Sequence, residues 1–283
     1  MRDAAVIAGY GLRECLRRRV FLVVLVLTGA FLALYALGTS VAFDEVERLG
    51  AGVDVDDTVL TGSTLLGLAT FTTLFLGAVL AAFLTLGAVR GDAESGLLQP
   101  LVVRPVGRDA LLAGRFAAAA LVCGGYVLAV YAASVLITGA AGGWWPDSLI
   151  SPGAGLAMGV VLIAGLSLLG SVFLASTANG IAVFMVFGAG LAAGLLGQIG
   201  ETLKVEALNT VADVTSWLLP FEALYQAGLA ALTSEAGGLT GVIVRLGPFG
   251  GAQSGGPLLW LWALAYLLLV GIAARAAFAR RDL

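Results

Sequence analysis

Histidine is absent from this 283-residue chain, lysine occurs once, at Lys204, and cysteine twice, at Cys15 and Cys123. Two cysteines cannot build a disulfide framework. Cys15 lies in a basic segment and Cys123 in an apolar run, so the two are expected in different surroundings. With no imidazole and no thiol cluster, the ligand sets of transition-metal sites are missing, and metal chemistry is not expected. A phosphate-binding P-loop needs lysine followed by Ser or Thr. Lys204 is followed by Val205, so the chain is not expected to hydrolyse ATP or to be an enzyme by itself.

Charge is scarce too. Charged residues make up 12% of the chain and apolar ones 60%, against about 25% and 45–50% in soluble domains. Mean hydropathy is +1.02. Core volume is limited by domain size, so the surplus apolar surface must face lipid. Nothing in the sequence points to nucleic acid. The composition describes an all-α polytopic membrane protein, a single domain over residues 1–283.

A helix needs about 20 apolar residues to cross the hydrocarbon core. Uncharged runs cover Val20–Ser40, Thr58–Val89 and Phe116–Pro146. The next, Ser148–Gly200, would make one helix about 80 Å long, so it must fold back. The small polar stretch 176–180 is the natural break, giving spans near 152–175 and 181–199. The last span lies near 257–274, making six. The first run is longer than the core of a cleavable signal, and a retained first span is expected.

Arginine placement sets the orientation. With the N-terminus cytoplasmic, residues 1–19, 90–115 and the C-terminus carry 12 of the 15 cations, while 12 of the 18 acidic residues fall outside. Both termini are therefore expected in the cytoplasm, in a cell (inner) membrane. Residues 1–19 read as an interfacial helix, with Ala5, Ala8, Leu12 and Leu16 on one side and Arg2, Arg13 and Arg17 on another. The alternative is a plain topogenic flank. Residues 201–256 form a long outer segment. Its apolar part, 211–232, is interrupted by Asp213 and Glu222, and Pro220 would kink a helix there. It is expected to form short helices at the outer interface, anchored by Trp217, Phe221 and Tyr225.

No charge is expected deep in a span, which argues against proton or sodium coupling. An intramembrane protease is unsupported, because there is no pair of intramembrane aspartates. Hydroxyls at Thr70, Thr72, Thr73, Ser134, Ser167 and Ser171 could line a path, but residues of this kind more often pack against their own helix. Gly155-x-x-x-Gly159 and Gly190-x-x-x-Gly194 allow close helix approach, within one chain or between copies.

The one sizeable cytoplasmic loop between spans, 90–115, holds Glu94, Gly96, Leu97, Leu98, Arg104, Pro105, Val106 and Arg108. Leu97, Leu98 and residues 101–103 give a short helix with an apolar side. The Arg-Pro-Val-Gly-Arg turn ends it, and Asp109 looks like the cap of the next helix. An exposed apolar helix of this kind wants a partner groove; the alternative is packing on this chain's own span ends.

Glu-x-Gly-x-x-x-x-x-x-x-Arg-Pro-Val-x-Arg between spans two and three resembles the permease subunits of type 2 ABC exporters. More narrowly, it looks like the branch described as permeases for multicopper-enzyme maturation. The basic N-terminal elbow helix, six spans and long outer segment extend the likeness over the whole chain. The resemblance implies that 90–115 holds the coupling helix. Glu94, Gly96, Leu97, Leu98, Arg104, Pro105, Val106 and Arg108 would then dock a separate ATPase subunit. Pro100 departs from the usual helix former, so that helix would be short or kinked. Two copies, or one copy and a paralogue, would work with two ATPase subunits, which bind the ATP and magnesium. Readings of another class are a membrane scaffold that moves nothing and an ATP-independent carrier.

Overall fold

The computed structural model describes residues 9–15, 19–49, 56–88, 108–234, 240, 243 and 256–280. Among these, eight helices follow a helical stretch at 9–15: α1 (Arg19–Leu49), α2 (Asp57–Thr85), α3 (Arg108–Gly142), α4 (Ile150–Phe173), α5 (Ser176–Leu203), α6 (Glu206–Leu218), α7 (Pro220–Leu232) and α8 (Pro257–Ala279). Six of them, α1–α5 and α8, are long and apolar enough to cross a membrane. They run alternately up and down, which gives the bundle two chemically different ends. Arg19, Arg108, Arg115, Arg275 and Arg280 lie toward one, the arginine end. Asp44, Glu45, Asp56, Asp57, Asp147 and Glu206 lie toward the other, the acidic end.

The start of α2 has a local cause. The Asp56 carboxylate accepts the Thr58 and Val59 N–H groups at 3.0 and 3.1 Å, capping α2, and Asp57 adds negative charge to its first turn. The break between α4 and α5 is tighter than the sequence suggests. It is confined to Leu174 and Ala175, and Ser176 already opens α5. Likewise α3 begins at Arg108, so Asp109 sits inside the first turn rather than before it.

α4 is the hub, touching α2, α3, α5, α7 and α8. Leu66, Leu74 and Leu80 of α2 and Val160, Leu162 and Ile163 of α4 are fully buried. The flanks of α1 and α8 expose Leu22, Val26, Leu34, Leu258, Leu261 and Leu268, as lipid-facing helices should. α1 is joined to α3 by two hydroxyl pairs, Thr28–Tyr126 and Tyr35–Thr138, each 2.6 Å. Thr28 and Thr138 already donate to the carbonyls of Val24 and Ser134, so the tyrosine hydroxyls are the donors across the interface.

Residues 9–15 pack on α3, with Gly11 against Ala118. Cys15 is buried, as is Cys123, and the two thiols are close enough to interact. Sequence context separates them; the fold of the N-terminal stretch back onto α3 brings them together. Residues 1–8 and 16–18 of the expected interfacial helix lie outside the described residues.

The largest departure from expectation lies between α5 and α8. Lys204 takes a left-handed backbone (φ 55°) and Val205 N–H donates to the Gly200 carbonyl at 2.9 Å, reversing the chain. α6 then runs back along α5, with Asn209 over Gly200 and Ala212 over Gly197. α7 turns outward again. Phe221 meets Gly159 and Gly190, Leu224 meets Gly155, and Gly228 meets Pro152. Gly159 lies about 14 Å along α4 from its first residue, so the tip at residues 218–220 reaches roughly the middle of a bilayer core about 30 Å thick. The pair is a re-entrant hairpin. The expected interfacial anchors do not hold their places: Phe221 is 1% and Tyr225 5% exposed, inside the bundle, and only Trp217, at the tip, is exposed.

Backbone at that depth must satisfy its own hydrogen bonds. Pro220 is at the first position of α7, where its missing N–H would otherwise be unpaired. The proline separates two helices rather than kinking one. At the end of α6 the Trp217 carbonyl accepts from the Trp262 indole N–H at 3.0 Å, and Leu219 N–H donates to Thr215 at 2.7 Å. The hairpin fits because both Gly-x-x-x-Gly pairs face it. A β-carbon at Gly155 would fall 3.0 Å from the Leu224 carbonyl oxygen, and one at Gly159 3.4 Å from that of Phe221. Both motifs thus serve packing within the chain.

Gly155→Leu is expected to lower unfolding stability by about 1–3 kcal/mol through overpacking, read by denaturant titration in micelles. Gly29→Ala, where a β-carbon meets open space, is the control and should cost nothing. A double-mutant cycle of Tyr126→Phe with Thr28→Val should give a coupling energy of about 0.6–1.7 kcal/mol.

Candidate functional site

Most of the predicted docking residues, Glu94, Gly96, Leu97, Leu98, Arg104, Pro105 and Val106, lie outside the described residues; Arg108 opens α3. What is described is the frame to which that segment is tied. The chain leaves α2 through a turn at residues 86–88 and returns at Arg108. Ala88, Leu112, Leu168, Val172, Ala274 and Phe278 form an apolar cluster of their own, binding the ends of α2, α4 and α8 to the start of α3.

Two polar contacts fix the register of that frame. Arg275 donates to both carboxylate oxygens of Asp109, from Nη2 to Oδ2 at 2.8 Å and from Nε to Oδ1 at 3.0 Å. The pair is well exposed, so its strength is about 0–1 kcal/mol, but its two-pronged geometry sets how α8 meets α3. Asn179 is buried. Its amide Nδ2 donates to the Leu86 carbonyl at 3.2 Å and the Ser167 carbonyl at 2.9 Å. Leu86 lies just past the last turn of α2, where carbonyls lack helical partners. One side chain on α5 therefore ties the root of the segment to α4. Sequence reading placed Asn179 in a polar break; nothing in its context signals this contact.

Five of the six hydroxyl candidates bond back to their own helices. Thr70, Thr72, Thr73, Ser134 and Ser171 donate to carbonyls of their own helices at 2.7–3.0 Å. Ser167 is buried with no hydrogen-bond partner for its hydroxyl.

An apolar furrow runs along the seam between α3 and α8, with α4 as its floor. Toward the arginine end it opens into a cavity of about 400 Å³ beside Leu112, Phe116 and Leu168, ending at the Asp109–Arg275 pair. Toward the acidic end it widens to about 940 Å³ between Tyr131, Trp145, Met158 and Trp260. Leu267 borders both. A surface of this kind suits a hydrocarbon chain or another apolar group.

The hairpin holds the polar residue that sequence reading placed at the outer interface. Glu222 is 4% exposed, and its Oε1, packed against Gly194, has no hydrogen-bond partner. Gln226 bonds to its carboxyl, and Gln198 Nε2 donates to Gln226 Oε1 at 3.4 Å. Burial pushes the Glu222 carboxyl up to about 7, with the Gln226 bond opposing. Next to it, burial and the neighbouring Glu222 push the Tyr225 phenol up, against a bond to Thr70. Glu222 lies in none of the crossing helices, which is why a scan of spans for charge passes over it. Among the described residues no group of three or more His, Cys, Asp or Glu could hold a metal ion.

No match was found among curated proteins. The family model described as ABC-2 family transporter protein matches residues 5–283. The match covers the six crossing helices, the re-entrant hairpin and the segment between α2 and α3 alike, and the chain belongs to the ABC-2 transporter family.

Proposed function

We propose that this chain is the membrane permease subunit of an ABC exporter, driven by separate ATPase subunits that dock on residues 90–108. The observation that carries this reading is the frame at the arginine end. The segment's two roots, Leu86 and Arg108, are joined to α4, α5 and α8 by Asn179, the apolar cluster and the Asp109–Arg275 pair. Force applied to the segment would therefore move five helices, not a loose loop. The arginine end faces the cytoplasm by the positive-inside rule, and with it both termini. Glu94, Gly96, Leu97, Leu98, Arg104, Pro105, Val106 and Arg108 meet the partner, which brings the ATP and magnesium. Two copies, or one copy with a paralogue, work with two ATPase subunits.

The cargo leaves through an apolar path. The seam furrow supports a lipid, an amphipathic drug or a hydrophobic peptide. The Arg-Pro-Val-x-Arg resemblance to maturation permeases also admits a sulfur species or another small solute. An ion-coupled carrier is the second reading, and the buried Glu222 carboxyl is the feature that favours it.

A nucleotide-binding partner should co-purify with the chain from native membranes in mild detergent, and Glu94→Arg or Arg104→Glu should release it. Recovery of the chain with no associated ATPase sinks the exporter reading. Asn179→Ala should leave the partner bound, while uncoupling its ATP hydrolysis from cargo movement in proteoliposomes. A variant that loses the partner as well would place Asn179 in folding rather than in force transfer.

A further inference from the structure

We propose that the Glu222 carboxyl is a proton-binding site, and that its occupancy decides whether the re-entrant hairpin stays seated between α4 and α5. The proposal goes beyond the permease reading and needs no ATPase partner.

The geometry leaves little else for this group to bind. Glu222 is 96% removed from solvent, its Oε1 faces the bare Gly194 backbone without a partner, and it lines neither end of the furrow between α3 and α8. An ionised carboxylate there would need a cation. α4 has no ionisable side chain. On α5, Glu201 stands in the last turn, and Lys204 caps the far acidic end and is exposed. On α6, Glu206 and Asp213 are acidic and exposed. α2 offers Asp57 at the acidic end. On α8 stand Tyr266 and, at the arginine end, Arg275, which pairs with Asp109. On α7 itself the ionisable neighbour is Tyr225, whose hydroxyl is bonded to Thr70. No described cation reaches Glu222. A proton is the ligand that neutralises the carboxylate without needing space.

The pH dependence follows from the two states. Seated, the carboxyl titrates near 7; displaced into water it returns to its ordinary 4.5. Seating is at full strength below pH 4.5, weakens tenfold per unit between 4.5 and 7, and is flat above. The acid form bridges to Gln226 and holds α7 in both glycine grooves. Loss of the proton favours a hairpin shifted outward, with Glu222 in contact with water at the acidic end.

The test uses the full-length chain in phosphatidylcholine nanodiscs. Hydrogen exchange of peptides within 206–232 is measured at pH 5 and pH 8 and normalised to unstructured-peptide rates. The wild type should lose protection by roughly tenfold or more between the two. Glu222→Gln, which keeps the shape and the bond to Gln226, should hold the pH 5 protection at both. Equal wild-type protection at the two pH values, or a Gln variant that follows the wild type, overturns the proposal. If the variant does not fold, infrared titration of the wild type decides. A carboxylic-acid carbonyl band that persists at pH 6 and disappears by pH 8 is expected; absence of that band at pH 6 overturns it.

Discussion

In a hydrocarbon core, main-chain N–H and C=O groups must find partners within the protein, and the architecture around α7 follows from that constraint. A helix that goes halfway into a bilayer and turns back leaves one C-terminus and one N-terminus at depth. Here Pro220 removes a donor, Trp262 supplies one, and Leu219 closes the last turn of α6. α7 is kept from lipid by two glycine grooves, its backbone against Gly155/Gly159 on α4 and its Phe221 and Glu222 side chains against Gly190/Gly194 on α5. Glycine there is a packing requirement, since a β-carbon would meet main chain on α4, and on α5 the ring of Phe221 or the carboxyl of Glu222.

The same helices reach the arginine end, where the chemistry changes. At the hairpin, glycine backbone meets main chain on α4 and side chains on α5. Around residues 86–88 and 108–112 they are a small apolar cluster, one amide side chain and one exposed ion pair. None of these is strong alone. Together they join the ends of α2, α4 and α8 to the start of α3, while α4 runs from that junction to the hairpin. The family of transporters to which the chain belongs therefore has, in this member, a continuous path of packed helix between the segment at one end and the polar cluster near mid-depth.

Hydropathy and charge made the six crossing helices legible, because length and apolarity alone decide whether a helix can span. Arg108 as the start of α3 was within one residue of the expected cap. The hairpin was not legible. Asp213, Pro220 and Glu222 read as reasons against membrane insertion, and each is such a reason for a helix facing lipid. Pro220 and Glu222 are buried, where neighbouring helices replace lipid, a tertiary fact that a linear window cannot contain, while Asp213 stays on the exposed side of α6. Asn179 was hidden for the opposite reason: a small polar residue beside Gly180 has the local signature of a turn, and its partners are 12 and 93 positions away. The glycine pairs were visible as motifs, but glycine is so frequent, at 40 residues, that spacing alone could not say which helix they receive.

The enclosure of α7 also imposes an order of assembly. Its two grooves belong to helices that precede it in the chain, and α8, which holds the tip through Trp262, follows it. Neither α6 nor α7 is long enough to be retained in a bilayer as a crossing segment, so the hairpin cannot enter by the route the six spans take. It must be received sideways or from the acidic end by an α4–α5 pair already in place, and α8 closes over the tip last. A chain halted before α8 would lack the Trp262 indole, leaving the Trp217 carbonyl at the hairpin tip without its donor.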